Sequence, residues 1–371
     1  MKYKLLVLDV DGTLLNDAKE ISKRTLASLL KVQQMGIRVA LASGRPTYGL
    51  MPLAKTLELG NYGGFIISYN GGQIINAQNG EILFERRINP EMLPYLEKKA
   101  RKNNFAIFTY HDDTILTDSS DNEHVHAEAN LNNLKIIQEE EFSTAIDFAP
   151  CKCILVSNDE EALKDLEEHW KKRLDGTLDV FCSEPYFLEV VPCGIDKANT
   201  LGVLLSYLNI AREEVIAIGD GVCDVNMLQV AGLGIAMGHA QDSVKVCADY
   251  VTASNEEDGV AQSVEKLILA EVHAAEIPLD LLNERARHAL MGNLGIQYTY
   301  ASEERIEATM PVGMQVSGNH ISSAHEGDTV RAVATIVHKG RSSHVWNVDV
   351  FTSTNKLVSS VRVVNSVLKK R

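Results

Sequence analysis

The chain opens on a largely apolar run, Tyr3 to Val10, the pattern of a parallel strand buried on both faces. It stops at Asp11-Gly12-Thr13. Ser22 is placed to N-cap a helix carrying Leu26, Leu29, Leu30 and Val32, with Gly36 just past its end. A second apolar strand, 37–42, ends at Ser43-Gly44-Arg45. A helix through Leu53 and Leu57 and a third strand, 65–68, follow. This alternation predicts an α/β layer fold with right-handed crossovers.

The rhythm then breaks. Between residue 73 and about 187 the pattern gives two short strand-like pieces, helices over 89–102 and 160–173, and strands over 105–109, 152–157 and 179–182. That mixture predicts an α+β insertion. The parallel rhythm returns with a helix after Asp196, strands at 215–218, 234–237 and 250–252, and a helix ending near Leu269. After Glu276-Ile277-Pro278 come a helix over 279–290 and long β-branched runs at 329–338, 344–351 and 357–368. Polar turns separate these runs, as in an antiparallel meander. A domain boundary is expected near 272–278.

Composition sets the class. With 371 residues, 45% of them hydrophobic and 23% charged, the chain is a globular protein too long for one ordinary core. The net charge of −14 is uneven: residues 271–371 hold 11 Lys and Arg against 10 Asp and Glu, so the first 270 carry −15. That surface argues against nucleic acid or an anionic membrane as partner, though local cations can still hold a phosphate. The six cysteines show no framework spacing, and Cys151 and Cys153 are not a CxxC. Reduced thiols in the cytoplasm are expected. The first residues lack a signal-peptide core, and no stretch is long enough for a membrane span.

Four clusters fall where parallel strands end, the place at which open α/β sheets bind ligands. Asp9 and Asp11 stand two apart at a strand end. Asp9 suits attack on phosphorus, and Asp11 suits proton transfer to the leaving oxygen and from water. Ser43, with Gly44 beside it, and Lys197 suit the phosphoryl oxygens. Asp220 and Asp224 would complete, with Asp9, a hard-oxygen site for Mg²⁺. Singly, each has a plainer reading: an Asx turn for the DxD, a surface lysine for Lys197. Together they favour phosphoryl transfer, because clustered carboxylates repel unless a cation sits among them.

Across the first 270 or so residues the chain resembles the haloacid dehalogenase superfamily, and within it the Cof-type phosphatases. The matching stretches are LLVLDVDGTLL, ALASGRP, ISYNGG, LEVVPCGIDKANTL, IAIGDGVCDVNML, GIAMGHA and SNEEDGVA. The resemblance implies a Rossmann-like core over 1–82 and 188–272 and an inserted α+β cap over 83–187 that sets substrate choice. It also implies Mg²⁺ held by Asp9, the backbone carbonyl of Asp11 and Asp220, with Asp224 either a further ligand or a partner that supports the ligands, and a small phosphorylated metabolite as substrate. The chain departs from the family in having Cys223 and His239 where asparagines are usual. Neither change removes the nucleophile or a metal carboxylate. On a cap helix, His124, Glu128 and Asn132 recur every four residues and share a face. That face reads as solvated, or, if turned inward, as suited to a hydroxyl-rich leaving group such as a sugar.

Residues 276–371 resemble a hot-dog-fold acyl-coenzyme A thioesterase through MGNLGIQYTYASEERIEATMPV and GMQVSGNHISSAHEGDTVRAVATIVHKGRSSHVWNVDVF. The resemblance implies a curved antiparallel sheet and a homo-oligomer. It also implies an acyl-coenzyme A substrate, such as a 1,4-dihydroxy-2-naphthoyl thioester, for a tail that retained activity. Residues 313–327 are too few for that fold's loop, central helix and further strand, and its HGG-like turn is missing. Thioesterase ancestry, with assembly as the role that needs least, is the expectation.

Overall fold

In the computed structural model the chain divides into two compact units, Met1–Glu265 and Lys266–Arg371. The structure describes residues 2–269, residue 283, and 297–301, 305–311, 319–320, 329–339 and 343–366 of the remainder.

The first unit is built on an eight-stranded sheet. Its order is Tyr250–Val251, Leu233–Ala236, Val215–Gly219, Leu5–Leu8, Arg38–Ala42, Phe65–Ser68, Gln73–Asn76 and Ile82–Glu85. The first six strands pair in parallel and the last two antiparallel. The first strand of the chain therefore lies in the middle, every one of its side chains buried. Chain order reverses on either side of it, which opens the crevice where such sheets bind ligands. Local chemistry sets the crossovers. Ser22 accepts from the Thr25 amide and starts the helix Lys23–Gln34. Asp196 accepts from the Asn199 amide and starts Lys197–Leu208. That cap fixes Lys197 in the first helical turn, above the ends of the central strands.

Between Ile82–Glu85 and Lys197–Leu208 the chain builds a second sheet. Its order is Leu178–Glu184, Phe187–Pro192, Cys153–Val156, Ala106–His111, Thr114–Thr117 and Lys135–Gln138. It is antiparallel except for the last pair. Phe187–Pro192 belongs to this sheet, so the chain returns to the first layer only after Pro192. One face packs the helices Leu93–Lys102 and Glu160–Arg173 around a fully buried Trp170. The other carries the helix Glu123–Asn132 over Phe108, Tyr110 and Ile154.

The second unit contains a six-stranded antiparallel sheet in the order Gln297–Ala301, Arg305–Pro311, Thr329–Lys339, Ser343–Thr352, Leu357–Ser366, Asn319–His320. The α/β layer with a separate antiparallel, hot-dog-like sheet is the expected fold class. The helix expected over 279–290 lies outside the described residues, apart from Asn283. No described helix is long and apolar enough to cross a membrane.

Candidate active site

Three carboxylates meet at the carboxyl edge of the first sheet. Asp9 follows Leu5–Leu8, Asp220 follows Val215–Gly219, and Asp224 ends the turn Val222–Asp224. Ligand oxygens of the three lie within 4.8 Å of one another. The Lys197 ammonium sits among them, 2.6 Å from Asp9 Oδ1 and 2.7 Å from Asp224 Oδ1, and is buried. Asp224 is fixed on its other side, where Oδ2 accepts the Asp220 and Gly221 amides at 3.2 and 2.9 Å. Thr13 Oγ1 donates to Asp220 Oδ1 at 2.7 Å.

The electrostatics follow from that crowding. Burial, then the Asp224 and Asp220 charges, push Asp9 well above the usual carboxylate range, while Lys197 pulls it down. Burial works against the charge on Lys197, but Asp224 and Asp9 beside it carry its pKa well above the ordinary lysine value. Three carboxylates against one ammonium leave two negative charges unbalanced at one point. The donors are hard oxygens, which suits a divalent cation such as Mg²⁺. Cys223 adds no charge: burial pushes its thiol up to about 12. His239 Nε2 lies 3.6 Å from Asp220 Oδ2, outside hydrogen-bonding range.

The remaining expected residues fall around this floor. Ser43 and Gly44 follow Arg38–Ala42, with Ser43 Oγ buried and accepting the Arg45 amide at 3.1 Å. Asp11 carries a grip the sequence did not announce. Arg45 holds its two oxygens at 2.7 and 2.6 Å, and Lys19 adds a third contact at 2.9 Å. Burial opposes the Asp11 charge, yet Arg45 and Lys19 together hold its carboxyl below the usual range. Arg45 stood in plain sight beside Ser43-Gly44.

The expected cap residues part company. Glu128 lines a cavity of about 710 Å³ that also reaches Asp9, Ser43 and Asp220. Asn132 is buried and donates to Glu128, and His124 stacks on Tyr186 with ring centroids 4.0 Å apart. The face is therefore packed inward, not solvated, and only Glu128 of the three lines the cavity. Lys152 and Glu189 form a buried pair at 3.1 Å, with Lys152 over the ring of Tyr110, which donates to Glu128. Lys152 also donates to the Gly44 carbonyl at 2.9 Å, and Asn70 donates to Glu189 at 3.0 Å. A glutamate inside the apolar run Phe187–Pro192 was the sequence signal for that pair.

Residues 6–264 match the family of haloacid dehalogenase-like hydrolases. The chain belongs to that family. A 5-amino-6-(5-phospho-D-ribitylamino)uracil phosphatase of Bacillus subtilis, YcsE, is 30% identical over 266 residues, covering 72% of this chain and 96% of its own. The crystal structure of a haloacid dehalogenase-like hydrolase from Bacteroides thetaiotaomicron is 49% identical with a TM-score of 0.70, covering 72% of this chain and all of that one. A subclass IIB sugar phosphatase, BT4131, is 25% identical with a TM-score of 0.60, covering 71% and 98%. The haloacid dehalogenase-like unit is thus a Cof-type hydrolase of phosphate esters. Residues 284–359 match the thioesterase superfamily.

Proposed function

We propose that Met1–Glu265 is a Mg²⁺-dependent phosphatase that cleaves small phosphorylated metabolites, sugar phosphates among them, through an aspartyl phosphate on Asp9. The observation that carries this reading is the Lys197 ammonium held between Asp9 and Asp224 on the floor of a cavity shared with Ser43. Two relatives are named for small phosphate esters, a ribityl compound and a sugar.

In the proposed sequence the Asp9 carboxylate forms a bond to phosphorus as the ester oxygen departs and takes a proton from Asp11. Asp11 then accepts a proton from water, whose oxygen attacks phosphorus and frees Asp9. Lys197, the Ser43 hydroxyl and the Gly44 backbone steady the phosphoryl oxygens through both halves. Asp9, Asp220, Asp224 and the backbone of Asp11 would hold Mg²⁺. When bound, the ion neutralises charge on the transferring group and orients it against the nucleophile. The inserted sheet acts as a cap that encloses the leaving group and excludes water. Arg45 and Lys19 hold Asp11 ionised before substrate enters, so in this reading Asp11 takes up the proton it gives to the ester oxygen as that grip opens.

Phosphate release from a panel of phosphate esters, with and without Mg²⁺, tests the reading in wild type and Asp9→Asn. Release needing both the metal and Asp9 is the expected result. Release that survives Asp9→Asn rejects Asp9 as nucleophile.

For the second unit, the thioesterase-superfamily match and the continuous antiparallel sheet favour a hot-dog-derived assembly module, with the chain a homo-oligomer through it. Acyl-coenzyme A hydrolysis by the purified chain would replace that reading with a bifunctional hydrolase.

A further inference from the structure

The chamber above Asp9 has an unusual charge account. Four cations line it against seven carboxylates, a formal −3. Each of the four already has a carboxylate beside it, although two of them share one and leave a single positive charge at Asp11. Lys197 is shared by Asp9 and Asp224, Lys152 is held by Glu189, and Arg45 and Lys19 both close on Asp11. A divalent ion and a phosphate dianion would cancel one another, so the rest of a substrate still meets the full −3.

Apart from the carboxylates of the floor, two unbalanced charges sit on the cap wall, at Glu128 and Glu184. Glu128 receives both of its protein donors on Oε1, Tyr110 Oη at 2.7 Å and Asn132 Nδ2 at 2.7 Å, and none on Oε2 among the described residues. Glu184, at the end of the strand Leu178–Glu184, receives no hydrogen bond or ion pair among the described residues. Beside them Tyr186 and Phe187 pack edge to face with centroids 4.7 Å apart and line the same chamber, offering ring surface to an apolar face of a ligand. A second phosphate or a carboxylate in this space would meet like charge from both glutamates, screened in part by Lys19, which is already bonded to Asp11, in a cleft partly shut off from water. A hydroxyl or amino group would instead supply the hydrogens that the Glu128 and Glu184 oxygens lack.

We propose that Glu128 and Glu184 select monophosphates whose leaving group carries no second anion and offers hydroxyl or amino donors, and that Glu184 is the residue that repels bisphosphates and acid phosphates. The proposal rests on the phosphatase reading above. It narrows the substrate class to neutral or amino-bearing polyol monophosphates.

The test compares kcat/KM for glucose 6-phosphate and glucosamine 6-phosphate with 6-phosphogluconate and fructose 1,6-bisphosphate, each with excess Mg²⁺ at low and moderate ionic strength. The first two are expected to exceed the last two at least tenfold, the gap shrinking as salt is raised. Glu184→Lys is expected to narrow the gap tenfold or more, mainly through KM for the anionic pair. Glu184→Gln, which keeps size and removes charge, should narrow it partway and serves if the lysine variant fails to fold. Anionic substrates turned over as well as the neutral ones, or a ratio unmoved by both variants, would overturn the proposal and leave the phosphatase standing. Asp9-independent release, or none from any member or from p-nitrophenyl phosphate, would sink the phosphatase reading and this proposal together.

Discussion

The Lys152 ammonium and the Glu189 carboxylate lie 3.1 Å apart, both more than nine-tenths buried, at the seam where the inserted sheet meets the phosphate loop. Both residues belong to the insertion, yet each reaches into the first layer, Lys152 to the Gly44 carbonyl and Glu189 to Asn70. Lifting the insertion would break those two reaches but leave the pair itself intact, so no lone charge is stranded. Removing one partner strands one. Lys152→Met is expected to cost about 3–5 kcal/mol of stability, measured by urea unfolding. The double variant Lys152→Met/Glu189→Leu should recover a large part of that loss. Simple additivity of the two single variants would show that the pair is not coupled.

Glu97 makes a pH-dependent prediction within the inserted sheet's own core. Its carboxylate accepts the Phe142 and Ser143 amides at 3.0 and 3.1 Å, the Ser143 hydroxyl, and Arg101 at 2.7 Å, and so caps the short helix Phe142–Ala145. Burial opposes the charge, but Ser143 and Arg101 outweigh it and hold the carboxyl below its usual range. A carboxyl depressed on folding stabilises above its unfolded pKa of about 4.3. That stability is lost as the pH falls through the lower folded value. Glu97→Gln should therefore cost about 1–3 kcal/mol at pH 7 and progressively less below about pH 4. Urea unfolding of both proteins at pH 7 and pH 3.5 checks the sign; an equal gap at both would reject it.

Much of this was legible in the chain because the signals are local. The apolar run 65–68 is the strand Phe65–Ser68 to the residue, and Ser22 caps the helix it was expected to cap. Asp9, Lys197, Asp220 and Asp224 were drawn together because each sits just past a strand end or at a helix start. What could not be read was pairing at long range. The strands Thr114–Thr117 and Lys135–Gln138 are short, with Lys135–Gln138 mostly exposed at the sheet edge, so neither has a strong apolar pattern. The Arg45–Asp11 grip joins residues 34 positions apart and the Lys152–Gly44 contact joins residues 108 apart, so spacing alone carries no trace of them. The shared face of His124, Glu128 and Asn132 was visible, but the direction in which it points is set by packing on Tyr110 and Tyr186.

Gly12 occupies the turn between Asp11 and Thr13 at φ +81°, and a Cβ there would stand 2.5 Å from Asp220 Oδ2. Gly12→Ala would meet two penalties at once. The left-handed backbone costs an L-residue about 1–2 kcal/mol, and the new methyl drives the Asp220 carboxylate off its bond to Thr13. The variant should lose Mg²⁺ affinity and activity together, well beyond its modest loss of thermal stability. A variant that loses stability but keeps wild-type Mg²⁺ affinity, measured by titration calorimetry, would show that Asp220 tolerates the displacement.

Asp220→Asn separates the cost of the carboxylate cluster from its use. In the metal-free protein, Asp9, Asp220 and Asp224 share one small volume with a single ammonium, and the Asp220 charge is among the causes that push Asp9 upward. Neutralising Asp220 relieves part of that repulsion while keeping an oxygen for the Thr13 hydroxyl. The metal-free variant is therefore expected to be as stable as the wild type or more so. Mg²⁺ reverses the order. An ion that binds only the folded wild type adds about 2.7 kcal/mol at one hundred times its Kd, which appears as a rise in Tm. The variant, lacking one anionic ligand, should show little or no rise at the same concentration and should release phosphate far more slowly. Differential scanning calorimetry with and without Mg²⁺ reads both halves. A variant less stable than the wild type without metal, yet equally stabilised by it, would mean that Asp220 serves the fold rather than the ion.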